Sequence, residues 1–292
     1  MVILLSVLMG TLYPLVIDAL GLGKLSVGGP FFNSFFVPLM IVLTILVGLG
    51  QTTKWRRTDW RQLCTPLIVT FVSCVVLSAA IIWLAGISFS LWAMLGISVS
   101  LWVVGLSGYE FVTTKLKQRT LWKAVLSLRL SYIGMQLAHI GLVVGVIGVT
   151  IVSLNGLSAD KRMDVGEIVF LGQFEFQFLS MERVQGPNYI SDQGIFRVTN
   201  TSGEVVNLMA EKRSYSVGGQ VMTEACIDLG FTRDLFVALG EPLGDGAWAV
   251  RLQYKTFIRW IWGGGILMAL GAVIAALDRR YRRVVTAQGA HA

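Results

Sequence analysis

The 292-residue sequence predicts a polytopic α-helical membrane protein of about six transmembrane helices, with an all-β domain inserted before the last helix. Three observations predict it. The first is composition: 54% of residues are hydrophobic and only 14% are charged, against about a quarter charged in soluble domains, and the mean hydropathy is +0.69. The second is that apolar residues gather into six runs, most of them close to the roughly 20 residues that cross a bilayer core. The third is a change of period. Over residues 155–256 the continuous apolar pattern gives way to short alternating stretches, which marks strands.

The six runs are Val2 to Leu20, Phe35 to Gly50, Pro66 to Ala85, Phe89 to Leu106, Leu130 to Leu154, and Phe257 to Leu277. Residues 1–129 thus hold four helices and their loops, 130–154 a fifth, and 257–292 the last helix with a basic tail. Lysine and arginine orient such a chain. Lys54, Arg56, Arg57 and Arg61 lie between the second and third runs. Lys115, Lys117, Arg119, Lys123 and Arg129 lie between the fourth and fifth, and Arg279, Arg280, Arg282 and Arg283 follow the sixth. Alternating spans put all three clusters on one face, leaving Asp18 and Lys24 on the other. Both termini are therefore expected in the cytoplasm, and residues 155–256 in the periplasm. The same placement explains the net charge of +7 without nucleic acid.

Within the β region, Phe170 to Phe178 is the clearest strand, with Phe174, Phe176 and Phe178 on one face. Gly194 to Thr199, Glu204 to Met209, Gly219 to Thr223, Leu235 to Leu239 and Ala247 to Tyr254 are further strands. Turn signals at Gly186-Pro187-Asn188, Thr201-Ser202-Gly203, Gly218-Gly219 and Gly244-Asp245-Gly246 separate them. Short strands at this spacing predict a small sandwich or barrel. Cys64, Cys74 and Cys226 form neither a CxxC pair nor an even set, so no zinc site or disulfide framework is indicated.

Candidate chemistry concentrates on one residue. Apart from His291 the chain has a single histidine, His139, inside the fifth run. At about 1.5 Å per residue it lies roughly 14 Å from Leu130, close to the bilayer midplane. A titratable group there defaults to a functional hypothesis, and a lone imidazole can bind haem iron as an axial ligand. A neutral histidine bonded to a neighbouring helix fits the spacing equally well. On a helical projection Gly134, Ala138, Gly141, Gly145 and Gly148 form a stripe suited to close helix packing. His139 lies on another face with Tyr132, Met135, Gln136, Leu142, Val143 and Val146. No GxxxxGK[ST], HExxH or GxSxG occurs, which argues against nucleotide-driven, zincin and serine-hydrolase chemistry. Asp18 and Glu110 fall at run ends, which argues against an ion-coupled transporter. Trp260 and Trp262 read as an interfacial belt, with Lys255 and Arg259 reaching headgroups.

Several stretches then carry a family resemblance. They are Gly28-Gly29-Pro30-Phe31-Phe32-Asn33, Leu137-Ala138-His139-Ile140-Gly141 and Gln185-Gly186-Pro187-Asn188-Tyr189. Glu211-Lys212-Arg213-Ser214-Tyr215, Gly230 to Glu241, Trp248-Ala249-Val250-Arg251 and Arg259-Trp260-Ile261-Trp262 follow in order. The chain resembles, over essentially its whole length, the C-terminal portion of the cytochrome c maturation protein F family, the haem-lyase subunit of the bacterial system I pathway. The resemblance implies an inner-membrane protein that binds haem b through two transmembrane histidines, the second in the context of His139. It implies a haem chaperone, a thioredoxin-like carrier and apocytochrome c as partners. Haem is joined there to a Cys-x-x-Cys-His motif, which needs positioned partners more than a strong acid or base.

The family's tryptophan-rich segment, its two external haem histidines and its first transmembrane histidine have no counterpart here. The expectation is that this chain is a fragment or one half of a split protein. It then shares haem b with an N-terminal half and does not catalyse ligation alone. The alternative is a non-catalytic membrane scaffold whose periplasmic domain docks apocytochrome or its carrier, with Lys212 to Tyr215 and Phe231 to Glu241 as contacts. Gly28 to Asn33 reads as an external loop, either substrate-facing or a plain re-entry turn.

Overall fold

Long apolar runs in a bilayer form helices because every backbone polar group must then be satisfied within the segment. The computed structural model describes residues 1–25, 27–53, 59–84, 89–116 and 120–278. Lys54, Arg56, Arg57, Lys117, Arg119, Arg279, Arg280, Arg282, Arg283 and His291 lie outside the described residues. The first helices are α1 (Val2–Ala19), α2 (Gly29–Thr52), α3 (Trp60–Leu84) and α4 (Leu91–Glu110). A π turn (Phe111–Leu116) continues α4, followed by the short α5 (Leu121–Leu126) and by α6 (Leu130–Asn155). After nine strands the chain ends its described part in α7 (Ile258–Ala276). Six of these helices are long and apolar enough to cross a membrane.

Two helix boundaries correct the sequence reading. Gly28 caps α2 and Pro30 sits in its first turn, where a proline lacks no needed N–H. Gly28 to Asn33 is therefore the head of a helix, not a loop, and Phe31 and Phe32 close over Gly10 of α1. The fourth membrane-length segment runs from Leu91 to Leu116 through the π turn, past the expected end at Leu106, with Glu110 the last residue of α4.

The chain divides into two compact units. The first comprises Met1–Ile147 with Gly263–Ala292. Here α4 is central. Its Trp102 donates to the Ile45 carbonyl of α2 at 3.2 Å and fills the space that Gly48 leaves open. Ser107 donates to Gln51 Oε1 at 2.5 Å, and the Ser78 and Ser98 hydroxyls bond α3 to α4 at 2.8 Å. Cys74, Trp102, Val103, Leu106 and Val143 form the buried core. The small-residue stripe of α6 finds its partner in α7. Gly134 meets the Gly271 carbonyl and Ala275, and Gly141 meets Gly264 and Met268. Close backbone approach of this kind supplies van der Waals contact where lipid offers no hydrophobic driving force.

The second unit is Gly148–Trp262, a β-sandwich. Its strands are β1 (Leu157–Met163), β2 (Ile168–Leu171), β3 (Phe174–Gln185), β4 (Tyr189–Asn200) and β5 (Val205–Tyr215). They continue with β6 (Val221–Glu224), β7 (Cys226–Leu229), β8 (Arg233–Gly244) and β9 (Ala247–Thr256). One antiparallel sheet has the order β1-β9-β8-β7 and the other β2-β3-β4-β5-β6. Alternation places Phe174, Phe176, Phe178, Phe196, Val237, Leu239, Val250 and Leu252 between them in one core. Phe178 and Phe196 stack at 4.6 Å.

Phe170 to Phe178 proves to be two strands, because Gly172 adopts a φ of 61° and folds β2 onto β3. Phe174, Phe176 and Phe178 do share the buried face. The turns at Gly186, Gly203, Gly218 and Gly244 connect strands as their sequences predict, whereas β1 and β7 carry no run of strand formers and were not expected.

Candidate functional site

The face of α6 opposite its glycine packing lines a cavity of about 360 Å³ in the helical unit, within the roughly 300–1,000 Å³ range of small-molecule sites. Tyr132, Gln136, His139 and Val143, at helical spacing, form one wall. Val103, Ser107 and Gly108 of α4 and Phe111 of the π turn form the other. His139 Nδ1 is buried and has no hydrogen-bond partner among the described residues. Leaving such a group unpaired costs about 1–3 kcal/mol. The described residues hold no cluster of three or more His, Cys, Asp or Glu suited to a metal ion. Of the lining residues, His139 alone is a histidine, cysteine or carboxylate.

A carboxylate, Glu110, bonds to the Tyr132 end of this wall. Tyr132 donates to Glu110 Oε2 at 2.6 Å, and Gln136 Nε2 donates to the Tyr132 hydroxyl at 3.1 Å. Thr114 donates to Glu110 Oε1 at 2.5 Å, and Lys115 Nζ stands 4.8 Å over the Tyr132 ring. The carboxylate is thus held by two hydroxyl donors. The chain Glu110–Tyr132–Gln136 fixes two side chains of the cavity wall, about two turns and one turn from His139. The π turn beginning at Phe111 continues α4 along this wall, and such turns recur at functional sites. The available sequence signal was weak: an acid followed by Thr113 and Thr114 past a run that hydropathy alone ends at Leu106.

The stretches proposed as docking contacts are largely occupied within the sandwich. Lys212 is only 8% exposed. Its Nζ donates to the Gly240 carbonyl at 2.8 Å and pairs with Glu241 at 2.6 Å. Arg213 donates to Glu211 Oε2 at 2.8 Å and stands 4.6 Å over the Tyr189 ring, which packs on Tyr215 at 5.6 Å. Glu211 also accepts from Ser191 at 3.0 Å and Gln193 at 2.9 Å. The Arg213 hydrogen bond holds its carboxyl below the usual range, with burial opposing. Leu235, Val237 and Leu239 are core residues. Cys226 packs at the edge of the same core.

Arg259 pairs with Asp234 at 3.4 Å, and Trp260 Nε1 donates to the Phe231 carbonyl at 3.3 Å. Both therefore contact the sandwich, while Trp262 is exposed.

Comparison with known proteins accords with this architecture. Residues 156–256 match the family profile described as the CcmF C-terminal beta-sandwich. The chain is similar to cytochrome c-type biogenesis protein CcmF of Pseudomonas fluorescens, with 45% identity over 278 residues covering 94% of this chain and 42% of the relative. Similarity to CcmF of Pseudomonas aeruginosa is 47% over 276 residues, with coverages of 94% and 42%. For Escherichia coli CcmF it is 40% over 285 residues, with coverages of 98% and 43%. Among solved structures, Cytochrome c Heme Lyase CcmF superimposes with a TM-score of 0.69 at 18% identity, over 94% of this chain and 43% of that one, a likeness of fold. The chain spans less than half the length of these relatives. With six membrane-length helices and the matching sandwich, it resembles the C-terminal part of CcmF proteins.

Proposed function

We propose that this chain is the C-terminal part of a system I cytochrome c haem lyase and that His139 supplies one axial bond to a haem b held within the membrane. The observation that carries this reading is the buried, unpartnered Nδ1 of His139 on the wall of a membrane-unit cavity. The residues fit one side of such a group. A flat apolar macrocycle suits walls of Val103, Val143 and Phe111, and a neutral imidazole suits its iron. Haem b would supply electron transfer. Tyr132 and Gln136, held by Glu110, would fix the cavity wall beside the ligand. The second axial ligand would come from a histidine helix of an N-terminal portion, so this chain alone would not join haem to apocytochrome c.

In this reading both termini lie in the cytoplasm of a bacterial inner membrane and the sandwich, within residues 155–256, faces the periplasm. There it would serve as a platform for apocytochrome, the thioredoxin-like carrier and the haem chaperone. The test is a reduced-minus-oxidised absorption spectrum of the chain purified alone and after co-expression with a family N-terminal portion. A b-type signal only in the co-expressed sample supports the reading. No haem in either sample would leave a non-catalytic scaffold as the better account.

A further inference from the structure

The hairpin joining β7 to β8 has an unusual outer face. In a sheet with one face in water the outward positions are polar, yet β7 turns Ile227 and Leu229 outward and its tip presents Phe231, 76% exposed. The inward positions behave normally: Cys226 packs at the core and Asp228 pairs with Arg233.

This tip is laced to the head of α7. The Phe257 N–H donates to the Thr232 carbonyl at 2.9 Å. Trp260 Nε1 donates to the Phe231 carbonyl at 3.3 Å, with their rings 5.7 Å apart. Phe257 packs on Trp260 at 5.0 Å, and Arg259 pairs with Asp234 at 3.4 Å. Phe257 holds a φ of 55° at this joint, a conformation that costs a non-glycine residue about 1–3 kcal/mol and persists only where its surroundings impose it. Trp260 is the third residue of α7, so Phe231 lies within a turn, about 5 Å, of where that helix begins.

We infer that Leu229 and Phe231 form a membrane-interface anchor, inserting at the headgroup–acyl boundary of the bilayer that α7 crosses. Continuity with α7 selects lipid as the occupant. A 19-residue helix is about 28 Å long, barely the thickness of the hydrocarbon core, so its first turn stands at the interface. Aromatic residues settle there. The polar groups of the tip are already committed. Asp228 and Asp234 are neutralised by Arg233 and Arg259, and the Gly230 N–H donates to the Arg233 carbonyl at 2.9 Å. Entry into a low-dielectric layer therefore leaves no bare charge on the hairpin. The anchor gives the sandwich a grip on the bilayer in addition to its two covalent helix connections. It does not depend on whether His139 binds haem.

The test uses the full chain in nanodiscs of phosphatidylethanolamine and phosphatidylglycerol. With Cys64, Cys74 and Cys226 replaced by serine, Phe231→Cys and Leu243→Cys are each labelled with an environment-sensitive fluorophore. Leu243 lies at the far end of β8, ten residues from Arg233 and roughly 30 Å away along the strand. The 231 probe is expected to lose at least half its emission to lipids carrying a nitroxide high on the acyl chain, and to resist aqueous iodide. The 243 probe should show the reverse. Iodide quenching of the 231 probe equal to that at 243 overturns the inference, and so does shielding from both quenchers, which would signify a protein cover. Because Cys74 is buried, a second variant keeps every cysteine and places benzoylphenylalanine at position 231. Photolysis should yield a lipid adduct by mass; a protein adduct, or none, overturns the inference.

Discussion

Replacing Gly141 by alanine should separate close helix packing from mere helix propensity. A methyl group on Gly141 would stand 2.6 Å from the Met268 nitrogen and 2.7 Å from the Gly264 carbonyl oxygen. These are backbone atoms, so α6 and α7 must move apart rather than a side chain turning away. Overpacking of this kind costs about 1–3 kcal/mol. Gly145 lies on the same stripe, yet a methyl group there meets nothing within 4 Å. Both substitutions gain the same helix propensity, about 0.8–1.0 kcal/mol, which cancels in the comparison. Gly141→Ala should therefore be less stable than Gly145→Ala by about 1–3 kcal/mol, with Gly145→Ala at or above the parent. Thermal unfolding of the three proteins in one detergent, followed by far-ultraviolet circular dichroism, ranks them. Equal melting of the two variants, or a lower midpoint for Gly145→Ala, would refute the packing assigned to this helix pair.

Two further predictions concern the sandwich. Lys212→Met keeps the apolar stem but removes the donor to Gly240 and the partner of Glu241, and should lower stability by about 1–3 kcal/mol. Glu241→Gln, at an exposed side chain, should cost no more than about 1 kcal/mol; urea titration of both variants checks the order. Glu211 has its carboxyl pKa lowered by Arg213, so the folded state binds its proton less readily than the unfolded state does. That contribution is present above the ordinary carboxylate value near 4.5 and is lost as pH falls through the lower folded value. Glu211→Gln should accordingly flatten the stability profile of the sandwich below about pH 4.5, and an unchanged acid slope would count against the Glu211–Arg213 pair.

Hydropathy and small-residue spacing made much of this fold legible. The six membrane-length helices follow from run length, and the two faces of α6 follow from 3.6-residue periodicity. The glycine stripe met α7, and Tyr132, Gln136 and Val143 joined His139 on one cavity wall. Turn glycines marked four hairpin connections: Gly203, Gly218 and Gly244 hold positive φ angles open to few other residues, and Gly186 leaves room for the Tyr189 ring.

What escaped the sequence was tertiary. Hydropathy truncates α4 at Leu106, since it scores Glu110 and the threonines as an exit from the membrane. The helix nevertheless continues to Glu110 and on through the π turn, with the Tyr132 hydroxyl bonded to that acid. Gly28 to Asn33 looked like a loop because glycine and proline break helices in their interiors, yet both are favourable at a helix head. β7, the sequence Cys226-Ile227-Asp228-Leu229, is too short for a periodic signal and forms only because β8 lies beside it. Likewise the contacts of Arg259 and Trp260 could not be read in one dimension, because their partners Asp234 and Phe231 are about 25–30 residues away in sequence.

Ligation of haem iron by His139 is tested by the reduced-minus-oxidised spectrum of His139→Gly, co-purified with a family N-terminal portion and titrated with free imidazole. The parent should show a b-type signal, the variant should lose it at unchanged protein yield, and imidazole should restore it by occupying the vacated ligand position. A full b-type signal in His139→Gly without imidazole would contradict that ligation.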